Sequence, residues 1–346
     1  MKQLSWKKKR YAVLLAFAVV VVSFTQSIPL FLGVMLLFGV PLLAMKELPS
    51  YATPADIGIQ YIFLLICTFI FIFLITPILI IVPLSFNAEP YFSITSGMMA
   101  LDPEAYSLRW YKDIVLNGML APNATTGWWS DMWNNAQWVR AARNSFFIAT
   151  VATVLATTLG TIAALGLSRP EMPYRGLITS LLISPMIVPL VITATGMFFF
   201  YSQIGLAKTY TGIILAHATL GTPFVIITVT ATLTGFDRSL IKAAQGMGAS
   251  SWTTFVHVIM PLIMPGMISG ALFAFITSLD EVVAVLFIAD VEQRTIPRQM
   301  FSGIREQISP TILSVATALV VMSIILLTTV ELLRRRSERL RGVTPA

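Results

Sequence analysis

Long apolar runs separated by short polar stretches dominate the chain. A helix needs about 20 mostly apolar residues to cross a membrane, and six runs reach this length. We therefore expect six membrane-spanning helices, at roughly 58–84, 144–167, 176–200, 211–233, 262–288 and 310–332. Proline interrupts two of these runs, and we predict kinks at Pro185 and Pro189 in the third and at Pro223 in the fourth.

A further apolar stretch, from Tyr11 to Met45, precedes these six runs. It is too long for one span and is interrupted at residues 25–29, so we predict a hairpin of two spans within an N-terminal extension, residues 1–50. A basic cluster followed by an apolar run is also typical of a signal peptide. Because no small-residue cleavage site precedes the next span, we favour an uncleaved hairpin.

Composition indicates the same class of protein. Of the 346 residues, 56% are hydrophobic and only 11% are charged, whereas a soluble domain is about a quarter charged. Too little polar material is present to cover a water-facing surface. We predict an all-α polytopic membrane protein with about eight transmembrane helices.

The positions of the charges that make up the net charge of +7 indicate how the chain is oriented in the membrane. Basic residues cluster at Lys2 and 7–10 near one end, and at 334–341 near the other. The positive-inside rule then places both termini in the cytoplasm, which requires an even number of spans. This distribution accounts for the basic excess without a nucleic-acid partner, and residues 336–346 are predicted to be a basic cytoplasmic tail.

The residues that usually carry chemistry are sparse. The single cysteine, Cys67, lies in an apolar run, and His217 and His257 are 40 positions apart, so we expect no metal site. The chain contains no phosphate-binding loop and no hydrolase motif. We expect no enzyme activity and no cofactor in this chain, so any energy for uphill transport comes from an ion gradient or another subunit.

The polar segment at 235–261 predicts a short helix, a glycine turn and a second short helix on the cytoplasmic face. The bounding signals are Asp237 and Ser239 as N-caps, Gly246 and Gly248 at the turn, Ser250 or Ser251 as the second N-cap, and Pro261 after Met260. Between these signals, the pair Ala243 and Ala244 offers a small surface that lets another protein approach closely.

This segment resembles the EAA motif of ABC-importer permeases, whose pattern is E-A-A, three residues, G, nine residues and I-x-L-P. Four residues fall in register: Ala243, Ala244, Gly248 and Pro261. Three depart from the pattern: Lys242 replaces the glutamate, Val258 the isoleucine and Met260 the leucine. The Lys242 change is not conservative and puts in doubt any contact that the family makes through that carboxylate.

Other segments resemble the spermidine/putrescine-type permeases. They are Ser107–Tyr111, Asn144-Ser145, Ser278–Val283 and the stretch from Thr295 to Thr311. The resemblance covers roughly residues 58–335. It implies the six-helix core of a type I ABC-importer permease, to which the N-terminal hairpin is an addition.

The resemblance also implies a mechanism and a set of partners. The loop Lys242–Pro261 would act as a coupling helix seated in a cytoplasmic ABC ATPase dimer. A second permease subunit, expected to be a different chain, would complete the path, and a periplasmic solute-binding protein would deliver a small organic solute. In the alternative interpretation, Lys242–Pro261 is only a solvated re-entry loop.

Two acidic residues, Asp280 and Glu281, lie deep in the run 262–288 and are predicted to be in the outer half of the membrane. Acids at such depth usually face a cavity or a partner. One hypothesis is that they line the path of a cationic substrate such as a polyamine. The other is a structural cap, or an ion pair with Arg294 or Arg298.

Two further functions remain open from the sequence. The chain could be an ion-coupled secondary transporter with Asp280 or Glu281 as a proton site, or a membrane scaffold without transport. The interpretation as a secondary transporter does not explain the loop Lys242–Pro261. The longest outer segment, 85–143, carries many aromatic side chains, which we expect largely at the membrane–water interface.

Overall fold

The computed structural model describes residues 33, 35–44, 53–169, 171–234, 237, 239–306 and 309–340, which are largely helical. The α-helices are α1 (Val40–Ala44), α2 (Pro54–Leu84), α3 (Ser96–Met99), α4 (Arg109–Leu116), α5 (Trp128–Asn135), α6 (Gln137–Leu167), α7 (Arg175–Ile187), α8 (Leu190–Gln203), α9 (Tyr210–Thr234), α10 (Ser239–Gly246), α11 (Ser251–Thr254), α12 (Met260–Asp280), α13 (Val283–Ile288), α14 (Ile296–Glu306) and α15 (Thr311–Leu340). Most of the predicted hairpin between Tyr11 and Met45 lies outside the described residues.

The chain divides into two compact units, residues 1–86 with 319–346, and residues 87–318. In the first unit, α2 begins at a reciprocal cap in which Thr53 and Asp56 each accept the other's backbone N–H. Such a capping box satisfies two N–H groups at the start of a helix. The Tyr61 hydroxyl of α2 donates to the carbonyl of Phe38, which lies in the π-helical turn before α1.

The second unit is built around three packed helices, α6, α9 and α12. Glycines allow their backbones to approach closely: a Cβ built on Gly160 would lie 2.6 Å from the Val225 Cβ, and one on Gly270 would lie 2.8 Å from the Val225 Cα. Small residues at such contacts are typical of helix packing in membranes, where burial in lipid supplies no hydrophobic drive. The three-helix contact therefore depends on close packing.

Among the residues that the structure describes, four helices are long and apolar enough to cross a membrane: 55–84, 137–167, 210–234 and 251–280. They cover the runs predicted at 58–84, 144–167 and 211–233 and most of the run at 262–288. That last helix ends at Asp280, eight residues before the predicted end, and the chain then forms the separate helix α13. The run at 310–332 falls on α15.

The run at 176–200 is not a straight span. It forms α7 and α8, which meet at an angle of 101°. Val188 is extended, with φ −70° and ψ 136°, because a residue before proline avoids the helical region. Pro189 then begins the next turn, while Pro185 is accommodated inside α7. The kink expected from the prolines is therefore a sharp break at one of them.

The predicted outer segment, 85–143, is ordered by its own contacts. The side-chain amide of Asn87 donates to the carbonyls of Tyr91 and Ser93, and the backbone carbonyl of Asn87 accepts a 2.7 Å bond from the Trp110 indole. Trp138 is also buried, whereas Trp129 is 74% exposed. Only part of the aromatic content is therefore free to meet a membrane or a partner.

Candidate coupling surface and substrate path

The first half of the EAA-like segment is a helix closed by a glycine turn, as the sequence predicted. Gly248 is left-handed, with φ +86°. The N–H of Gly248 donates to the Gln245 carbonyl at 2.9 Å, and the N–H of Ala249 donates to the Ala244 carbonyl at 3.1 Å. These two bonds form a Schellman motif, which stops a helix and satisfies its last carbonyls.

The second half differs from the prediction at Pro261. Ser250 caps α11 by accepting the Thr253 N–H at 3.2 Å, but the helix does not end before the proline. It continues through a π-helical stretch, Phe255–Ile259, directly into α12. The Met260 N–H bonds to the Phe255 carbonyl five residues back. A π-turn widens the helix just before Pro261, where a proline would otherwise clash with the preceding turn.

The helix α11, the π-turn and α12 form one uninterrupted helical stretch of 30 residues, 251–280. This helix joins the EAA-like segment to Asp280 without a break. At 1.5 Å per residue, Asp280 lies about 30 Å from Met260. The EAA-like segment and the predicted path residue Asp280 are thus at opposite ends of a single helical stretch.

The EAA-like segment presents an exposed apolar surface. Leu240 and Ala243 share one face of α10, and Met247, the residue after the helix, continues this face and is 83% exposed. Trp252 on α11 is 72% exposed and its ring lies 5.7 Å from that of Phe255. Clustered large apolar side chains on a polar loop are typical of a protein contact surface.

The five motif residues do not share one environment. Ala244 is 5% exposed and holds α10 against the α11 region, whereas Lys242, Ala243, Gly248 and Pro261 are exposed. Lys242 lies off the apolar face, because residues one or two positions apart on an α-helix do not share a face. Ala244 therefore has a packing role inside the segment, and the other four remain available to a partner.

The predicted acidic pair is separated by the end of α12. Glu281 is 7% exposed, and its carboxylate accepts the Ala284 N–H at 2.8 Å, which caps α13. Asp280 is exposed. Of the ion pairs in the described residues, neither joins Glu281 or Asp280 to Arg294 or Arg298. The structure thus gives Glu281 a capping role and leaves Asp280 as the accessible carboxylate.

One polar contact joins the core helices close to Asp280. The His217 imidazole of α9 lies 2.7 Å from the Ser278 hydroxyl of α12, and both side chains are buried. This hydrogen bond joins α9 to α12 within the membrane-spanning core.

A polar cavity of about 260 Å³ was not anticipated from the sequence. Its polar lining consists of Asn135, Gln137, Arg140, Asn144, Arg294 and Gln299. These residues come from α5, α6 and the region of α14, up to 164 positions apart in the chain. No local motif signals such a site, because only the packing of α14 against α6 brings the two sets together.

Comparison with known proteins decides the family. Residues 156–341, more than half of the chain, match the family described as "binding-protein-dependent transport system inner membrane component". The chain belongs to this family. The matched region includes the whole EAA-like segment and Asp280, and its start lies within α6.

Two named relatives are polyamine permeases. The chain is 29% identical over 268 residues to the spermidine/putrescine transport system permease protein PotC of Haemophilus influenzae, covering 78% of this chain and 94% of PotC. It is 30% identical to the putrescine transport system permease protein PotI of Escherichia coli, covering 71% of this chain and 81% of PotI.

One solved structure shows the same fold. A chain of a bacterial ABC transporter involved in the import of the acidic polysaccharide alginate superposes with a TM-score of 0.57 at 17% identity, covering 83% of this chain and 99% of that chain. At this identity the match shows the fold of an ABC-importer permease and carries no information on the solute.

The family assigns the chain its role. It is a multi-pass inner-membrane permease subunit of a binding-protein-dependent ABC importer, which moves a solute rather than catalysing a reaction. The predicted fold class and function are confirmed. The alternative of an ion-coupled secondary transporter is not favoured. The predicted domain boundaries, 1–50, 58–335 and 336–346, stay predictions, as do the assigned site residues.

Proposed function

We propose that this permease imports a polyamine or a similar small organic cation from the periplasm to the cytoplasm. The named relatives, PotC and PotI, are spermidine/putrescine and putrescine permeases. The exposed carboxylate of Asp280 at the far end of α12 is the observation in this chain that carries the proposal. A carboxylate at this depth attracts an ammonium group in a low-dielectric path, where charge pairs are strong.

We propose further that a separate ABC ATPase dimer drives the import through the loop Lys242–Pro261. The apolar face of α10 and Trp252 would seat in a cleft of the ATPase, and the continuous helix 251–280 would carry the displacement to the substrate path. A second permease subunit, expected to be a different chain, would complete the path. Both termini and this loop would then lie in the cytoplasm.

The coupling step is tested with two charge-matched variants of α10. Met247→Asp places a charge in the exposed apolar face, whereas Gln245→Asp places the same charge elsewhere on the helix. We expect Met247→Asp to lower co-purification of the ATPase about tenfold or more, because burying that side chain contributes about 1.5–3 kcal/mol. Gln245→Asp should retain the ATPase. Equal retention by both variants would remove this face from the interface.

The transport step is tested by uptake of labelled putrescine and spermidine into vesicles that contain the complete transporter. Uptake must require ATP and the solute-binding protein. Polyamine uptake that persists without any ATPase would contradict the proposed function, and ATP-dependent uptake of an anionic solute alone would contradict the substrate class.

A further inference from the structure

The unanticipated polar cavity is lined by two arginines, Arg140 and Arg294. Arg294 bonds through one terminal nitrogen to the Gln299 carboxamide at 3.4 Å, while its Nε is buried and has no partner. Gln299 is 8% exposed and is held in turn by the Gln137 carboxamide at 3.2 Å. A buried guanidinium donor without an acceptor costs free energy, so its presence needs a reason.

The walls of the cavity are rigid. The Asn144 side chain donates to the carbonyls of Glu292 and Arg294 at 2.8 and 3.0 Å, and accepts from the Tyr210 hydroxyl at 3.0 Å. Gly118 closes one side with φ +92°, and a Cβ there would lie 2.8 Å from the Asn135 carbonyl. The guanidinium groups are therefore presented by a fixed frame.

The charge around the cavity is not balanced. Three arginines, Arg140, Arg294 and Arg298, lie in or beside the cavity, whereas the loop carries two carboxylates, Glu292 and Asp290, and Asp290 is also paired with Lys208. The ion pair between Arg140 and Glu292 is long, at 3.7 Å, and the Glu292 side chain is 73% exposed. Burial and the neighbouring Arg294 lower the pKa of the Arg298 guanidinium. A further carboxylate in the cavity would relieve this excess of positive charge.

The position of the cavity identifies where such a carboxylate comes from. Tyr210, the first residue of α9, contacts the cavity residue Asn144, and α9 ends at Thr234, just before the EAA-like segment. Twenty-five residues of α-helix span about 36 Å, so the cavity and the coupling segment lie on opposite sides of a membrane. If the coupling segment faces the ATPase, the cavity opens where the solute-binding protein arrives.

We propose that this cavity receives an aspartate or glutamate side chain of the solute-binding protein, which bridges Arg294 and Arg140 when that protein docks. The planar guanidinium group binds a carboxylate through two parallel N–H bonds, which fixes orientation as well as affinity. The inference rests on the proposed function, because that function assigns this side of the chain to the periplasm.

Binding of the solute-binding protein to the intact transporter in lipid nanodiscs tests the proposal. We expect Arg294→Gln to weaken docking about tenfold or more, and to reduce its dependence on ionic strength. Lys208→Gln is the control, since Lys208 carries the same charge at the same face, is 67% exposed and does not line the cavity. It should change docking less than threefold.

A second variant keeps the test informative if Arg294→Gln folds poorly. Gln299→Glu places a carboxylate beside Arg294 within the chain, so it should occupy the site, preserve the fold and weaken docking to a similar extent. Neutralising the acidic surface residues of the solute-binding protein one at a time should then reveal one residue whose effect disappears in the Arg294→Gln background.

The outcomes separate the two hypotheses. Unchanged docking in both Arg294→Gln and Gln299→Glu, with wild-type docking intact, would overturn the inference alone. Stabilisation of wild type by millimolar acetate, lost in Arg294→Gln while docking is unchanged, would show that a free carboxylate occupies the cavity and would also overturn it. A wild-type transporter that binds no solute-binding protein would defeat the proposed function itself.

Discussion

The carboxylate of Glu281 accepts a 2.8 Å hydrogen bond from the backbone N–H of Ala284. This bond caps α13 at the point where the long helix 251–280 ends, and it uses the carboxylate that adjoins Asp280 in sequence. Two neighbouring acids in one apolar run therefore have different structural roles, and they should respond differently to substitution.

Asp280→Asn should reduce polyamine uptake at least tenfold while leaving the yield of the assembled transporter unchanged, because the side chain is exposed and caps no helix. Glu281→Ala should instead lower thermal stability, by about 0.5–2 kcal/mol for the lost cap. Uptake per assembled transporter and thermal unfolding, measured on both variants, check this division. Normal uptake kinetics in Asp280→Asn would show that Asp280 does not line the substrate path.

Two glycines of the EAA-like segment, Gly246 and Gly248, provide a test substitution and its control. Gly248 has φ +86° and Gly246 does not lie in the left-handed region, yet neither has another atom within 4 Å of an added Cβ. Gly248→Ala should therefore cost about 1–2 kcal/mol from backbone strain alone, and should lower solute-stimulated ATP hydrolysis. Gly246→Ala should retain wild-type hydrolysis. Equal hydrolysis rates in the two variants would mean that the turn geometry is not needed for coupling.

The packing of α6 against α9 predicts a third effect. Gly160→Ala should destabilise the protein by about 1–3 kcal/mol, because its Cβ would overlap the Val225 side chain. Adding Val225→Ala should restore part of the loss. Gly176→Ala, with nothing within 4 Å, is the control. Detergent-solubilised thermal stability measures all three, and a non-destabilising Gly160→Ala would show that these helices can separate.

The segment before α6 should respond to pH through Asp131. Hydrogen bonds from the Ala121 N–H, the Asn135 side chain and the Leu120 N–H lower the pKa of this carboxyl. A lowered folded-state pKa means that these bonds stabilise the segment above the ordinary aspartate pKa and are lost as pH falls through the folded value.

Hydrogen exchange of residues 118–135, corrected for intrinsic rates, measures this effect. Protection in wild type should fall only in acid, below the usual aspartate range, whereas Asp131→Asn should exchange faster already at neutral pH. Asp102→Asn is the control, since its side chain accepts one backbone bond, from Glu104. Equal protection in Asp131→Asn and wild type at neutral pH would contradict the role of these bonds.

Much of this protein could be predicted from its sequence, because membrane insertion is governed by local properties. The length and hydrophobicity of a run determine whether it spans, and residues such as Asp237, Gly248 and Ser250 determine where helices begin and end. The register of Ala243, Ala244, Gly248 and Pro261, together with its place in a predicted cytoplasmic loop, indicated the family that the comparison confirmed. In each case the physical cause lies within a few residues of the feature.

Tertiary structure decided what depends on distant residues. It separated Glu281, whose carboxylate caps α13, from Asp280, and it carried the helix through Pro261 by means of a π-turn. It also placed Arg294 beside Gln299 and Arg140 in a cavity with an unpaired donor. The polar residues of the cavity lie up to 164 positions apart in the chain, and a helix break or a π-turn does not change the alternation of polar and apolar positions. That pattern could therefore specify none of these features.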